Sequence, residues 1–392
     1  MDPLTAHQLG EFVRQYDAQG WHRTGTTVDA QSAAWLADQV RTLGPTPALE
    51  PFTLSRIDPT DAFVEVGAHR EHGVPQFDAR LTDAMGVRGR LGLLGTDAEI
   101  GVAGLSAEGE SPASLLEART ASHHQAIVLV ARGPAPGAAP ANATRFPQQF
   151  GPPLLHVSSA AREWLAQEAS AGAMARVVAT ARRAQAQAFN VVAELEGRQS
   201  ELSPVVVLTP RSGWWHCAGE RGGGLICWLA AMRGLSAAPG PRRVLFVATS
   251  GHELGHHGLK AFLARRPHLA AGAHAWVHFG ANIGAVGQAT RLLTASDAHL
   301  RDLAGAIVCR PGGPEVTVRP VAAPPVGEAQ NIARDGGRFI SIVGGGNPHF
   351  HLLSDRWPAT VETAAVAGVA RRAAELCVAL AAETVGALSS RR

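Results

Sequence analysis

The chain has 392 residues, 46% of them hydrophobic, enough for a large core and for two or three domains. Its 35 Lys and Arg against 33 Asp and Glu leave a net charge of +2, with no surplus for nucleic-acid phosphates, and no run approaches the ~18 apolar residues of a membrane span. The four cysteines (Cys217, Cys227, Cys309, Cys377) lie far apart without a C-x-x-C pair, and the N-terminus lacks a signal-peptide pattern, so a protein of a reducing, cytoplasmic compartment is expected.

In chain order, Leu9, Phe12, Val13 and Tyr16 have helical spacing within Leu4–Ala18. After the loop GWHRTGT, Val28–Leu43 reads as a second amphipathic helix, with Gly44 placed to end it. Leu49–Leu54 and Ala62–Val66 read as strands. From about Pro59 to Gln187, Gly, Pro and Ala increase, and strand-like runs are short: Leu91–Leu94, Ile127–Val130, Leu154–Val157 and Arg176–Thr180. A long Ala/Pro/Gly loop covers Gly133–Thr144. This spacing predicts a small β-rich domain, residues 59–187, inserted into a larger one made of residues 1–58 and 188–392. It lacks clustered ionisable pairs, so it is expected to cover or shape a site.

Strand character resumes at Phe189–Leu195. Val205–Leu208 and Val244–Thr249 then each run through a Gly-rich loop into a helical pattern. Ala275–Gly280, Arg291–Thr294, helix Asp297–Val308, and strands Val316–Pro320 and Phe339–Val343 follow. A polar loop at Gly344–Pro358 leads to an Ala-rich helix at Thr360–Leu380. Strands alternating with helices predict an α/β fold with a mostly parallel sheet flanked by helices.

In such a sheet, loops at the carboxyl ends of strands line the ligand crevice. Glu220, His252, Glu253, His256 and His257 all lie on loops of that kind. The literal string His252-Glu253-Leu254-Gly255-His256 matches H-E-x-x-H, which on a helix would hold zinc with two imidazoles. The context opposes a helix, because a buried strand leads into the string and Gly251, Gly255 and Gly258 interrupt it. A second arrangement places Glu220, His252-Glu253 and His351 just past three strands, residue types suited to a divalent ion with a water-accessible position. The structural alternative is that these are separate, hydrogen-bonded loop residues.

The chain resembles the zinc aminopeptidase family of peptidase clan MH, which includes bacterial leucyl aminopeptidases, glutaminyl cyclases and glutamate carboxypeptidases. WHRTGTTVDAQSAAWLADQVRTLG is similar to the family's N-terminal segment, NVVAELEG to the strand re-entering its catalytic domain, VLFVATSGHELGHHGLKAFL to its strand and Glu-Glu-x-Gly segment, and FHLLSDRWPATVE to its closing His-x-x-x-Asp segment. The resemblance implies an aminopeptidase-like fold with a protease-associated-like insert. Carried over by position, Thr209-Pro210-Arg211 replaces the family's His-x-Asp and Ala281 replaces an Asp ligand. Glu220, Glu253 and His351 keep ligand types, and His252 takes the place of the general base. The losses concentrate at one of two metal positions. The resemblance therefore implies one divalent ion, with zinc first in line, held by Glu220, Glu253 and His351, and proton transfer by His252.

Arg211 and Arg221 lie near the vacated position and are candidate anchors for a substrate carboxylate, although Arg211 could equally pair with a structural carboxylate. Trp214 and Trp215 are candidates for an aromatic wall, with Asn282, His349 and Asn331 in neighbouring loops. The glycines of GERGGG lack the Gly-Lys-Ser/Thr ending of a phosphate loop, and instead suit close approach of a helix to the sheet. The expected function is metal-assisted hydrolysis of an amide-type C–N bond in a small, anionic molecule. Acyl transfer or cyclisation at the same site, or an inactive binding protein, are the alternatives. The partner expected is a small-molecule substrate, not nucleic acid or membrane, with a homo-oligomer left open.

Overall fold

The computed structural model describes residues 5–105, 112–121, 123–133, 135–287, 291–311 and 315–384. Leu4 and residue 134, which fall in the expected first helix and the Ala/Pro/Gly loop, lie outside them. Helix α1 (Ala6–Ala18) starts at Thr5, which shares a reciprocal capping box with Gln8, and α2 (Thr27–Thr42) starts where Thr26 accepts from Asp29 N. Strand β1 (Ala48–Val66) follows. The segment between β1 and its antiparallel partner then contributes β2 (His69–Pro75), β3 (Val87–Leu93), β4 (Ile100–Ala103), α3 (Pro112–Ala121), β5 (Ala126–Val130), β6 (Leu154–Val157) and α4 (Arg162–Ser170). Strand β7 (Met174–Leu195) returns from it.

The expected runs Leu49–Leu54 and Ala62–Val66 are one strand, and so are Arg176–Thr180 and Phe189–Leu195. β1 and β7 pair antiparallel along almost their whole length, with a register irregularity at Pro59/Asp61. The expected domain boundaries thus fall inside two continuous strands. At one end these strands join β2, β6, β5, β4 and β3 in a ring closed by the β1–β7 pairing, around a core of its own that includes Val64, Ile100, Val128, Leu155 and Val177.

At the other end β7 joins the main sheet. The remaining elements are β8 (Val205–Pro210), α5 (Ala218–Ala237), β9 (Val244–Thr249), α6 (His257–Ala264), α7 (Leu269–Gly272), β10 (Ala275–Phe279), β11 (Arg291–Ala295), α8 (Ala298–Val308), β12 (Val316–Val318), α9 (Ala329–Arg334), β13 (Phe339–Gly344) and α10 (Thr363–Ala382). The order is β7-β9-β8-β10-β13-β11-β12, and β9, β8, β10 and β13 run parallel. Their fully buried Val/Leu/Ile runs are what a sheet covered on both faces requires. α1, α2, α5, α8 and α10 cover one face, and α6, α7 and α9 the other. Among the described residues no helix is long and apolar enough to cross a membrane.

α5 is buried on nearly all sides, which its glycines permit. A Cβ on Gly223 would lie 1.5 Å from the Ile283 carbonyl oxygen, and one on Gly224 only 2.9 Å from Thr209 Oγ1. The glycine run therefore serves close helix packing, as its sequence suggests.

Candidate active site

The carboxyl ends of β8, β9, β10 and β13 open on one side of the sheet, and the loops leaving them build the site. Every non-glycine residue with positive φ among those described lies in these loops: Cys217 (57°), His256 (62°), Asn282 (62°) and His351 (61°). Such strained positions persist where the surroundings over-determine them, and they concentrate at functional sites.

The turn after β9 is not helical, and it brings His252 and His256 to one side, with ring centroids 5.1 Å apart. Glu328, just before α9, completes the group: one ligand atom each from His252, His256 and Glu328 lie within 4.8 Å of one another. His252 Nδ1 is 2.8 Å from Glu328 Oε1, and the Asn331 carboxamide is 2.6 Å from His256 Nδ1. A third imidazole, His278 on β10, places Nε2 3.4 Å from Glu328 Oε2, and neither of these buried atoms has a hydrogen-bond partner. Ser341 Oγ holds the other ring nitrogen of His278 at 2.8 Å.

The charges suit a cation. Burial opposes ionisation of Glu328, but the neighbouring imidazoles, His252 first among them, hold the carboxyl well below its usual range. Burial pushes His256 down to about 4, so its imidazole is neutral, the form that donates a lone pair. Two imidazoles and a carboxylate, with unpartnered polar atoms beside them, are a donor set that fits zinc.

Glu253 does not join this group, nor does it form a ligand set with Glu220 and His351. Its Oε1 accepts from Thr24 N at 2.8 Å and its Oε2 from Ser212 Oγ at 2.7 Å, which fastens the N-terminal loop to the turn after β8. Burial raises its pKa despite those donors. The H-E-x-x-H string thus contributes its two histidines and not its glutamate, through a turn instead of a helix.

Glu220 and His351 do meet, Oε1 to Nε2 at 3.6 Å, in a second group beside the first. Arg221 Nη2 lies 2.5 Å from Glu220 Oε1, a charge contact without hydrogen-bond alignment, while Arg221 Nε donates to Ser212 O. Burial would raise the Glu220 carboxyl, but Arg221, with His351 and His252 nearby, holds it below its usual value. His351 is pushed down by burial, against the opposing pull of Glu220. Its Nε2 has no hydrogen-bond partner.

The expected substrate contacts divide. Arg211 is fully buried, pairs with Asp29 at 2.9 Å and donates to the Asp29 and Phe189 carbonyls, so it holds α2 to the sheet and does not face the site. Trp214 is core, edge-on to Phe77 at 4.8 Å. Trp215 is half-buried, and its Nε1 donates to His351 O at 2.9 Å. Asn282 N donates to Glu220 O, and its side chain accepts from Asn347. His349 is bonded within its own loop to Ser354 Oγ. Glu328 and His278 escaped the sequence reading. His278 reads as one more core position in a buried strand, and the only trace of Glu328 is a lone acid in the apolar stretch before α9.

The Ala/Pro/Gly loop between β5 and β6 packs on the turn after β9 and on His351. Ala143 N donates to Glu253 O at 2.8 Å, and the Pro140 carbonyl lies against the His351 ring, favouring its protonated form.

No family model and no curated protein matches the sequence. Solved structures do. A peptidase M28 precursor from Shewanella amazonensis SB2B superposes with a TM-score of 0.74 at 16% identity, over 97% of this chain and 96% of that one. The zinc aminopeptidase BSAP from Bacillus subtilis gives 0.73 at 13% identity, over 95% and 94%. A glutaminyl cyclase from Tannerella forsythia gives 0.51 at 9% identity, over 96% and 99%.

Proposed function

We propose that this chain, which has the fold of the zinc aminopeptidases, hydrolyses an amide-type C–N bond in a small molecule with the help of one divalent cation, zinc. The observation that carries this reading is the His252–His256–Glu328 group at the carboxyl ends of the parallel strands, beside the Glu220–His351 pair. His252, His256 and Glu328 would hold the ion, and His252 is thereby reassigned from proton transfer to ligation. A cation bound there would polarise the scissile carbonyl and lower the pKa of a water molecule.

The remaining groups supply the proton handling. The neutral His351 ring offers Nε2 as the base, and the Glu220 carboxylate at 3.6 Å stabilises the imidazolium that results. Arg221 keeps Glu220 ionised and fixes it in place. The insert loop over His351 and Glu253 limits the space above these groups, which supports a small substrate over a folded one. The same groups would serve intramolecular acyl transfer, a second reading favoured by the likeness to a glutaminyl cyclase. The four free cysteines support a cytoplasmic setting.

Metal analysis after exhaustive dialysis is the direct test. Wild type is expected to hold one zinc per chain, and Glu328→Gln and His256→Ala to hold much less. Mass spectrometry of products from N-acylated amino acids, and from amino acid amides with a free amino group, then separates hydrolysis from cyclisation. In hydrolysis water cleaves the amide; in cyclisation the internal amine displaces the amide nitrogen as ammonia and no water is added. Wild type that stays free of metal and yet cleaves these amides at full rate rejects the reading.

A further inference from the structure

The two oxygens of Glu328 have different surroundings. Oε1 lies 2.8 Å from His252 Nδ1 and accepts from Thr249 Oγ1 at 3.4 Å. Oε2 faces His278 Nε2 at 3.4 Å, and neither of these two buried atoms has another partner. Buried polar atoms are rarely left without a partner, so a facing pair of them calls for an account of what each does for the other.

An imidazole is an unusual occupant of this strand position. β10 is buried along its whole length, and Trp276, two residues earlier on the same face, packs in the apolar cluster that includes Phe262 of α6 and Ile332 of α9. The ring at 278 is held on several sides. β13 runs parallel beside β10 with Ser341 directly in register, and Ser341 Oγ meets His278 Nδ1 at 2.8 Å. Two glycines make room for it: a Cβ on Gly280 would lie 2.8 Å from His278 Cε1, and one on Gly327 would lie 3.2 Å from the same atom. Gly327, with φ of 63°, is the turn that delivers Glu328, so its backbone conformation sets the carboxylate against the ring.

The same contacts choose the tautomer. With Ser341 Oγ donating to Nδ1, the ring proton sits on Nε2 and is aimed at the Glu328 carboxylate. The opposite tautomer would set a lone pair against an acceptor that has only lone pairs to offer.

We propose that His278, oriented by Ser341, is a positioning residue for the cation site: it steadies Glu328 at Oε2, so that the carboxylate stands beside His252 and His256 before a cation arrives. The proposal rests on the reading of Glu328 as a ligand. Groups that touch a ligand and not the metal commonly tune affinity in this way, by fixing the orientation in which the ligand is presented. His278 thus accounts for a buried polar chain, Ser341 to His278 to Glu328, that crosses from β13 through β10 to the start of α9.

The test is zinc affinity, measured on metal-free protein by competition with a chromophoric chelator. His278→Leu removes the N–H and should weaken zinc binding about tenfold to a hundredfold. His278→Gln, whose amide can donate from near the place of Nε2, should recover most of that loss, and Ser341→Ala should fall between wild type and His278→Leu. Recovery by Gln is what a role in packing alone would not produce, because Leu suits the apolar surroundings better. Nitrogen-15 NMR of metal-free wild type supplies a readout that needs no metal: the signal that disappears in His278→Gln should be that of an Nε2–H tautomer. If His278→Leu does not fold, Ser341→Ala and the tautomer decide. Wild-type affinity in His278→Leu or in Ser341→Ala, equal losses in the Leu and Gln variants, or an Nδ1–H tautomer would each overturn the proposal. The two readings fail in different ways. Wild type that binds no zinc rejects the metal centre and this proposal with it, whereas wild type that binds zinc while His278→Leu binds it equally well rejects this proposal alone.

Discussion

Asp355 shows how a single buried carboxyl organises the start of α5. Its Oδ1 accepts from Gly219 N at 2.7 Å and its Oδ2 from Glu220 N at 2.9 Å, two of the donors a helix leaves unpaired in its first turn. Burial, reinforced by the nearby Glu220 charge, nevertheless raises its pKa from 3.8 to about 6. A carboxyl raised in the folded state contributes stability that is full below the unfolded pKa and is lost as pH rises through the folded one. Between pH 4 and pH 7, metal-free wild type should therefore lose about 2 kcal/mol relative to Asp355→Asn, most of what the shift of about two pH units requires. Urea unfolding of both proteins across that range checks it, and a stability difference that does not change with pH would sink the idea. At this scale the sequence was informative about residue type and weak on direction. Glu253 was expected as a metal ligand and Arg211 as a substrate anchor or the partner of a structural carboxylate, and both have buried partners, Thr24 and Ser212 for one and Asp29 for the other. Sequence spacing places a Cα and says nothing of where a buried side chain finds its counter-charge.

Among the elements, the strand–loop–helix units were the most legible, because fully apolar runs such as Val205–Leu208 and Val244–Thr249 announce strands buried on both faces. The long antiparallel pair of β1 and β7 was not, since Pro51, Pro59 and the polar stretch Arg182–Gln187 interrupt its apolar pattern while the backbone ladder continues. The glycine run of α5 was read for its mechanical reason, and that reason makes a sharp forecast. Gly223→Ala should destabilise the protein by about 3 kcal/mol or more, because its methyl group would run into the Ile283 backbone carbonyl, which cannot move aside by rotamer change. Gly222→Ala meets only the side chain of Val13 at 3.0 Å and should be distinctly milder. Comparable urea midpoints for the two variants would show that α5 can shift away from the sheet, and that close packing is not what the glycines provide.

For the whole molecule, the candidate metal centre ties together parts of the chain that the sequence keeps apart. His252 and His256 leave β9, Glu328 precedes α9, and His278 lies within β10, so residues from 252 to 328 converge only once the parallel strands have been laid side by side. The sequence reading placed His252, as the proton-transfer group, and His256 on the loops at the carboxyl ends of the strands. It could not pair them with Glu328, which no strand announces. A ligand that binds the folded chain and not the unfolded one stabilises by RT ln(1 + [L]/Kd), about 2.7 kcal/mol at one hundred times Kd. Zinc added to metal-free wild type should accordingly raise the melting temperature by several degrees, by an increment that grows with the logarithm of zinc concentration. His256→Ala and Glu328→Gln should lose that increment, because each removes one of three ligands. Glu220→Gln should keep it, since Glu220 already answers to Arg221 and serves His351. The opposite pattern, with the increment retained in His256→Ala and abolished in Glu220→Gln, would move the cation to the Glu220–His351 pair and return His252 to proton transfer.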